Sequence, residues 1–529
     1  MNRFTQMVLI SVASAVCAQA VGADLRLISA VKKQDARAVR TLLARHADVN
    51  AAEPDGFTAL HWAAQRNNFE ITGFLIDAGA KPAIASRYKI TPLSLACTNG
   101  NAALIERLLR AGVDANSTSE EGQTALMTAS LAGNADAVKM LLAHGAKVNA
   151  AEPLQSQTAL MWAASEGRTA AAGMLIEFGA EVKAKSKGGF TPFLFAVRNG
   201  HLDTAKLLLD HGANVNDVAP DGTSALNMAV VNAYFELAAL LVDHGADPNA
   251  PDPRGSALHT LAWLRKPGSD GAAGVGGTPH GPPPPTGNVT SFELAKLLLE
   301  HGANPNIRVS WAEKPFDKEG GTVRNPPNIQ LGRHFLSYVG ATAFYVAAQT
   351  GDAPLMRLLA EHGADPKLPT VQGITPLMAA AGLGTWEGET PGPFTGCTEA
   401  ERLEAVKLAL ELGNDVNAQA DFGDYKMEGT PDYTLLYYPL NMDALTGKVL
   451  GDPRWSGSTA LIGAITSGQA TIVQYLIDRG ARPDMKTKLG WTPLLVARGV
   501  FFANAKKEYP AAAAIIQKAH DNRVAAAGP

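Results

Sequence analysis

The sequence predicts an all-α solenoid of stacked helix pairs, about twelve units long and interrupted by four insertions. Three observations lead there. A short phrase recurs as TALHWAA at Thr58, TPLSLAC at Thr91, TALMTAS at Thr124, TALMWAA at Thr158, TPFLFAV at Thr191, SALNMAV at Ser224 and SALHTLA at Ser256. It returns as TAFYVAA at Thr342, TPLMAAA at Thr375, TALIGAI at Thr459 and TPLLVAR at Thr492, and uninterrupted copies lie 32 to 34 residues apart. A second phrase, such as LLAHGAKVN from Leu141 or LLEHGANPN from Leu298, follows about twenty residues later. A fixed period of this size means a stacked array, and 529 residues are too many for one compact core.

Residues 1–23 stand apart: Arg3, an apolar stretch from Met7 to Cys17, then Ala18-Gln19-Ala20 and Val21-Gly22-Ala23. Small residues at those positions fit a secretory signal peptide cleaved after Ala20 or Ala23. Residues 24–55 lack the opening phrase but contain a good second helix and ADVN at Ala47, which suits an N-terminal capping repeat. Uninterrupted repeats then fill 56–265. Within each, Thr or Ser caps the first helix and Pro fits its first turn. Small residues let neighbouring helices approach, and Gly100, Gly133 and Gly200 end the first helix in a left-handed conformation. Pairs such as Leu108-Leu109 face the core from the second helix, and no unit buries its apolar face alone.

Residues 266–456 hold the insertions. Two split a helix pair, 266–288 and 384–398, and two occupy hairpin positions, 307–339 and 419–455, so the two kinds leave on opposite edges. The first is Gly- and Pro-rich, with Pro282 to Pro285 at its tip, and reads as a solvated loop. The hairpin insertions carry Trp311, Phe316, Phe335 and Tyr338, then Phe422, Tyr425, Tyr433, Tyr437, Tyr438 and Trp455. These aromatics either bind a partner or pack the insertions onto the repeats. Residues 457–529 hold the last repeats and a C-terminal cap ending in an Ala-rich helix without a hairpin.

The phrases closely resemble those of the ankyrin-repeat family, over nearly the whole chain after residue 23. That resemblance implies a protein-binding scaffold using a concave face and hairpin tips. Carried onto this sequence, it picks the residue before each opening Thr or Ser, among them Phe57, Ile90, Gln123, Gln157, Phe190, Thr223, Ile374 and Trp491. It also picks the pair after the small-residue run: Gln65-Arg66, Thr98-Asn99, Ser165-Glu166 and Arg198-Asn199. The partner-binding set is therefore Phe57, Gln65, Arg66, Ile90, Asn99, Phe190, Arg198 and Trp491, with Tyr437 and Tyr438 from the last insertion. Trp62, Leu95, Trp162, Phe195 and Met228 form a neighbouring row that the resemblance assigns to packing between layers.

Other chemistry finds little support. His144, His211, His244, His301 and His362 all precede Gly-Ala at the end of a second helix, where a donor suits exposed carbonyls. His61 and His259 occupy the position that the resemblance gives to a hydrogen-bonding group tying hairpins together. Asp247 to Asp252 lacks the glycine and distal glutamate of a calcium loop. There is no P-loop, Gly-x-Ser-x-Gly, His-Glu-x-x-His or Cys-x-x-Cys, and no cofactor or metal is expected. A net charge of -4 gives no global basic field for nucleic acid. Cys97 and Cys397 lie in distant repeats, too far apart to bridge in an extended array. The expectation is a monomeric, periplasmic or secreted, non-catalytic scaffold with a protein partner and no membrane span. The alternatives are an enzyme or small-ligand receptor built by 266–456, lined by Tyr437, Tyr438 and Trp455, and a secreted effector acting on another cell.

Overall fold

A computed structural model describes residues 25–250, 252, 255–265, 287–310, 339–384, 398–421, 455–502 and 505–527. Residues 1–24, where a signal peptide is expected, Cys397, Tyr437, Tyr438 and the other insertion aromatics except Trp455 lie outside these residues. The chain divides into two compact units, Met1–Asp221 and Gly222–Pro529.

The first unit contains six helix pairs. They are α1 (Leu25–Lys32) with α2 (Ala36–Ala44), α3 (Ala59–Gln65) with α4 (Phe69–Asp77), and α5 (Pro92–Asn99) with α6 (Ala102–Arg110). Then come α7 (Ala125–Ala132) with α8 (Ala135–Ala143), α9 (Ala159–Ser165) with α10 (Thr169–Glu177), and α11 (Pro192–Arg198) with α12 (Leu202–Asp210). Each phrase gives a first helix because its Thr hydroxyl accepts an amide hydrogen bond three residues on, as Thr91 does from Ser94. Gly100 and Gly133 end their helices at φ 68° and 82°, as the sequence predicts. Between layers lie small side chains with no exposed surface, including Ala63, Ala96, Ala129, Ala163 and Ala196. Leu104, Leu108 and Leu141 fill the space behind them, each burial contributing about 2 kcal/mol.

The second unit repeats the plan with α13 (Ala225–Val231) and α14 (Phe235–Asp243), α15 (Ala257–Arg265) and α16 (Ser291–Glu300), and α17 (Ala343–Gln349) and α18 (Ala353–Glu361). It continues with α19 (Pro376–Ala380) and α20 (Glu399–Glu411), α21 (Ala460–Thr466) and α22 (Ala470–Asp478), and α23 (Pro493–Ala497) and α24 (Pro510–Ala527). The C-terminal cap adds one feature that the sequence did not suggest: Phe501–Phe502 pair antiparallel with Ala505–Lys506 between its helices. Tyr509 then fixes α24, its hydroxyl donating to the Thr466 carbonyl at 3.0 Å.

Local bonds hold each insertion closed at its root. Where residues after α15 leave the pair, the Arg265 fork grips Asp352 of the next pair at 2.6 and 3.2 Å and reaches Ser291 Oγ at 3.2 Å. Asp352 is fully buried, so this pair is a tie whose loss would strand a charge. After the third insertion, buried Arg402 donates to the carbonyl of Ala380, at the end of the helix that precedes it. The hairpin insertions start and finish on paired backbone: Gly340 N–H donates to Val309 O and Val309 N–H to Ala341 O, while Gly457 and Ala420 repeat the pattern lower down.

Gly463 in α21 permits a close approach to the backbone of the preceding layer. A Cβ there would lie 2.6 Å from the backbone nitrogen of Leu383. Gly463→Ala is therefore expected to destabilise the second unit by about 2–3 kcal/mol, because backbone cannot yield as a side chain can. Thermal unfolding of the variant, with hydrogen exchange locating the loss to residues 376–466, checks this.

Candidate partner-binding surface

The surface is built on the hairpins that join one helix pair to the next. Each is closed by a short backbone turn in which the residue before the opening Thr gives its carbonyl to an earlier N–H: Ser86 to Ile90, Ser119 to Gln123, Ser186 to Phe190. The hydroxyls of Ser86, Ser119 and Ser186 each accept the N–H of that same residue. In the fourth hairpin the loop is one residue longer, which accounts for the 34-residue spacing from Thr124 to Thr158. There Glu152, whose carboxylate reaches further than a hydroxyl, accepts from Leu154, Gln155 and Gln157. Burial opposes its charge, but these three N–H groups outweigh that and hold its pKa below the usual carboxylate value.

Asparagine side chains tie successive hairpins together. Asn50 donates to Gly79 O and accepts from Lys81 N–H; Asn116 does the same with Gly145 and Lys147, and Asn149 with Gly179 and Glu181. In the second unit the motif steps over insertions: Asn249 reaches Gly302 and Asn304, Asn306 reaches Gly363 and Asp365, and Asn417 reaches Gly480 and Arg482. The recurrence of these asparagines at the last position of the second phrase was the available signal in the sequence.

The two histidines of the opening phrase act as expected. Thr58 N–H donates to His61 Nδ1 at 3.1 Å, which fixes the neutral tautomer, and Nε2 donates to Ile90 O at 3.0 Å. His259 repeats this with Ser256 N–H and with Ala341 O, 82 residues away. Burial lowers both pKa values, that of His259 to about 4. The five histidines before Gly-Ala place Nδ1 2.8–2.9 Å from the carbonyl four residues back, a helix-end donor role.

The expected arrangement of the two rows is corrected. Of the residues before each Thr or Ser, Phe57, Thr223, Ile374 and Trp491 are buried, and Ile90, Gln123, Gln157 and Phe190 are half-buried. Hairpin closure is the cause, since it folds these side chains under the first helix; Phe57 rests 4.9 Å from His61 and 5.5 Å from Trp62. In the row assigned to packing, Phe195 and Met228 are buried, while Trp62, Leu95 and Trp162 are half-buried, in the same range as Ile90 and Phe190 of the first row. Gln65, Arg66, Asn99 and Arg198 are exposed as anticipated. Asn99 is already engaged, donating to Ala64 O at 2.9 Å, as Asn199 does to Ser165 O. Leu131, overlooked in the same row because its neighbours there are polar, is 38% exposed. Tyr88 and Leu154 at two hairpin tips are more open, at 62% and 67%. Trp455 at the foot of the last insertion is buried rather than lining an open pocket.

Among the described residues no group of three His, Cys, Asp or Glu side chains comes together as a metal would need. Cys97 is buried and free, and burial pushes its thiol well above the usual range. No helix among them is long and apolar enough to cross a membrane. The family model described as ankyrin repeats (three copies) matches residues 27–116, 93–186 and 160–252. Among solved structures, the crystal structure of the human ASB11 ankyrin repeat domain is 26% identical over 42% of this chain and 98% of that one, with a TM-score of 0.39.

The His259 geometry sets a pH dependence. Its folded pKa, about 4, lies below the 6.5 of an ordinary histidine, so on acidification the unfolded chain takes up the proton first. The stabilisation is whole above about pH 6.5 and is lost as pH falls towards 4, on the order of 3 kcal/mol in all. A His259→Gln variant, compared with the parent by thermal melts across that window, is expected to be less stable above pH 6.5 and to lose less stability on acidification.

Proposed function

Because the chain is an ankyrin-repeat protein, its family match running over residues 27–252, we propose that it is a non-catalytic, protein-binding scaffold that works outside the cytoplasm. One observation carries the reading. The hairpin asparagines and opening-phrase histidines are spent on holding layers together, while a row of half-buried apolar side chains (Trp62, Leu95, Trp162), with exposed Leu131 beside it, lies near exposed Arg66 and Arg198. Apolar centre and charged margin are the composition of a protein interface. On this reading the partner is taken by the concave face expected of the family and by the hairpin tips, where Tyr88 and Leu154 are exposed. Export follows from the apolar, small-residue segment before Asp24. The working form is a monomer.

The enzyme reading has less support, since buried Trp455 does not contribute to an aromatic pocket and the opening-phrase histidines are committed to backbone bonds. Two experiments test the proposal. Fractionation with N-terminal sequencing is expected to give a chain beginning at Val21 or Asp24 outside the cytoplasm; an intact Met1 in the cytosol rejects export. Affinity capture from the envelope fraction is expected to return a protein that the Leu131→Ala/Arg66→Ala double variant retains at least about tenfold less, while its melting temperature stays within a few degrees of the parent's. Equal retention rejects the assigned face.

A further inference from the structure

We propose that the first unit takes an extended peptide strand with acidic flanks along Trp62, Leu95, Leu131 and Trp162, and that the Trp162 indole N–H donates to a main-chain carbonyl of that strand. The inference deepens the scaffold reading and rests on it.

Two tryptophans at the same place in their repeats have different fates. The Trp62 N–H donates to Glu53 Oε2 at 2.7 Å, and Lys32 holds the other oxygen at 2.6 Å while sitting 4.1 Å above the indole. The layer of Trp162 also has a hairpin glutamate, Glu152. Both of its oxygens are taken, at 2.6–2.9 Å, by the N–H groups of the lengthened hairpin. The Trp162 N–H is buried and has no acceptor. A buried donor without a partner costs stability, and a phenyl ring at this position carries no such cost; the next layer uses Phe195. The Trp162 ring is half-buried on the same row, and on this proposal the occupant is met by a rotation of the indole that brings its buried N–H outward.

The neighbours select that occupant. Leu95 and Leu131 offer apolar contact between the tryptophans. Arg66 and Arg198 are exposed in the first and last of these five layers, with no carboxylate partner among the described residues. Arg198 instead lies 5.2 and 5.3 Å from the rings of Phe190 and Phe195, which fixes its position. One exposed acid, Glu166, stands between them and disfavours a continuous chain of phosphates. Four layer steps of about 8–10 Å match roughly ten to twelve extended residues with carboxylates towards both ends.

The test uses the full chain and three fluorescent probes: a peptide of about twelve residues with alternating leucines and terminal aspartates, its lysine-ended twin, and a single-stranded oligonucleotide of similar length. The acid-ended peptide is expected to bind, and more weakly at high salt. Trp162→Phe is expected to weaken that binding about fivefold while the melting temperature of the free chain stays level or rises. Trp62→Phe, which loses the Glu53 bond, lowers the melting temperature. Equal binding of the two peptides, tighter binding of the oligonucleotide, or a fall in melting temperature for Trp162→Phe like that of Trp62→Phe overturns the proposal. Capture of an envelope protein with no binding of either peptide also overturns it but leaves the scaffold reading standing. Failure to capture any protein removes the scaffold reading itself.

Discussion

A side-chain amide that reaches from one hairpin to the next is the tie on which the two units depend. A pair of helices of seven to nine residues, such as Ala59–Gln65 with Phe69–Asp77, has no interior of its own. Its apolar face is covered only by neighbours, and apolar contact alone does not fix how far one layer slides over another. Asn50, Asn116 and Asn149 supply direction, each donating to one backbone group and accepting from another two residues on. His61 and His259 add a second tie nearer the helices, and both ends of the ring are used. Where the second phrase ends in Lys367 instead of Asn, a different amide makes the contact: Asn414 reaches across to Pro366 O.

The second unit shows how such a stack accommodates extra chain. Its insertions do not interrupt the ties; they leave and return between them. The backbone pairs at Val309–Ala341 and Ala420–Ser458 close two roots, and the Arg265–Asp352 fork spans a third from one layer to the next. Charge is placed there with its partner already provided, in contrast to the open cations at Arg66 and Arg198 of the first unit.

Most of the fold was legible because a period of about 33 residues is a property of the whole chain and survives local ambiguity. Helix starts followed from Thr and helix ends from Gly. What periodicity could not decide was which of two nearby rows faces inward. Phe57 and Trp62 are five residues apart and equally apolar, and their burial is settled by hairpin closure, a backbone event that leaves no mark on hydrophobic pattern. The same limit hid Leu131, whose row is polar in every other layer of the first unit. The unequal treatment of Trp62 and Trp162 depends on one extra residue in a turn, visible in the sequence only as a spacing of 34 instead of 33.

The bridging asparagines also bear on how the chain finds its folded state. Asn116 closes a loop of 29 residues to reach Gly145, whereas Asn417 must wait for 63 to reach Gly480. Closure entropy grows only with the logarithm of length, so the added cost is about 0.6 kcal/mol per such junction. Lengthening a loop at a sealed root is thus thermodynamically mild and kinetically slower. The length of such an excursion can therefore change at little thermodynamic cost, so long as the amide and its two backbone partners survive.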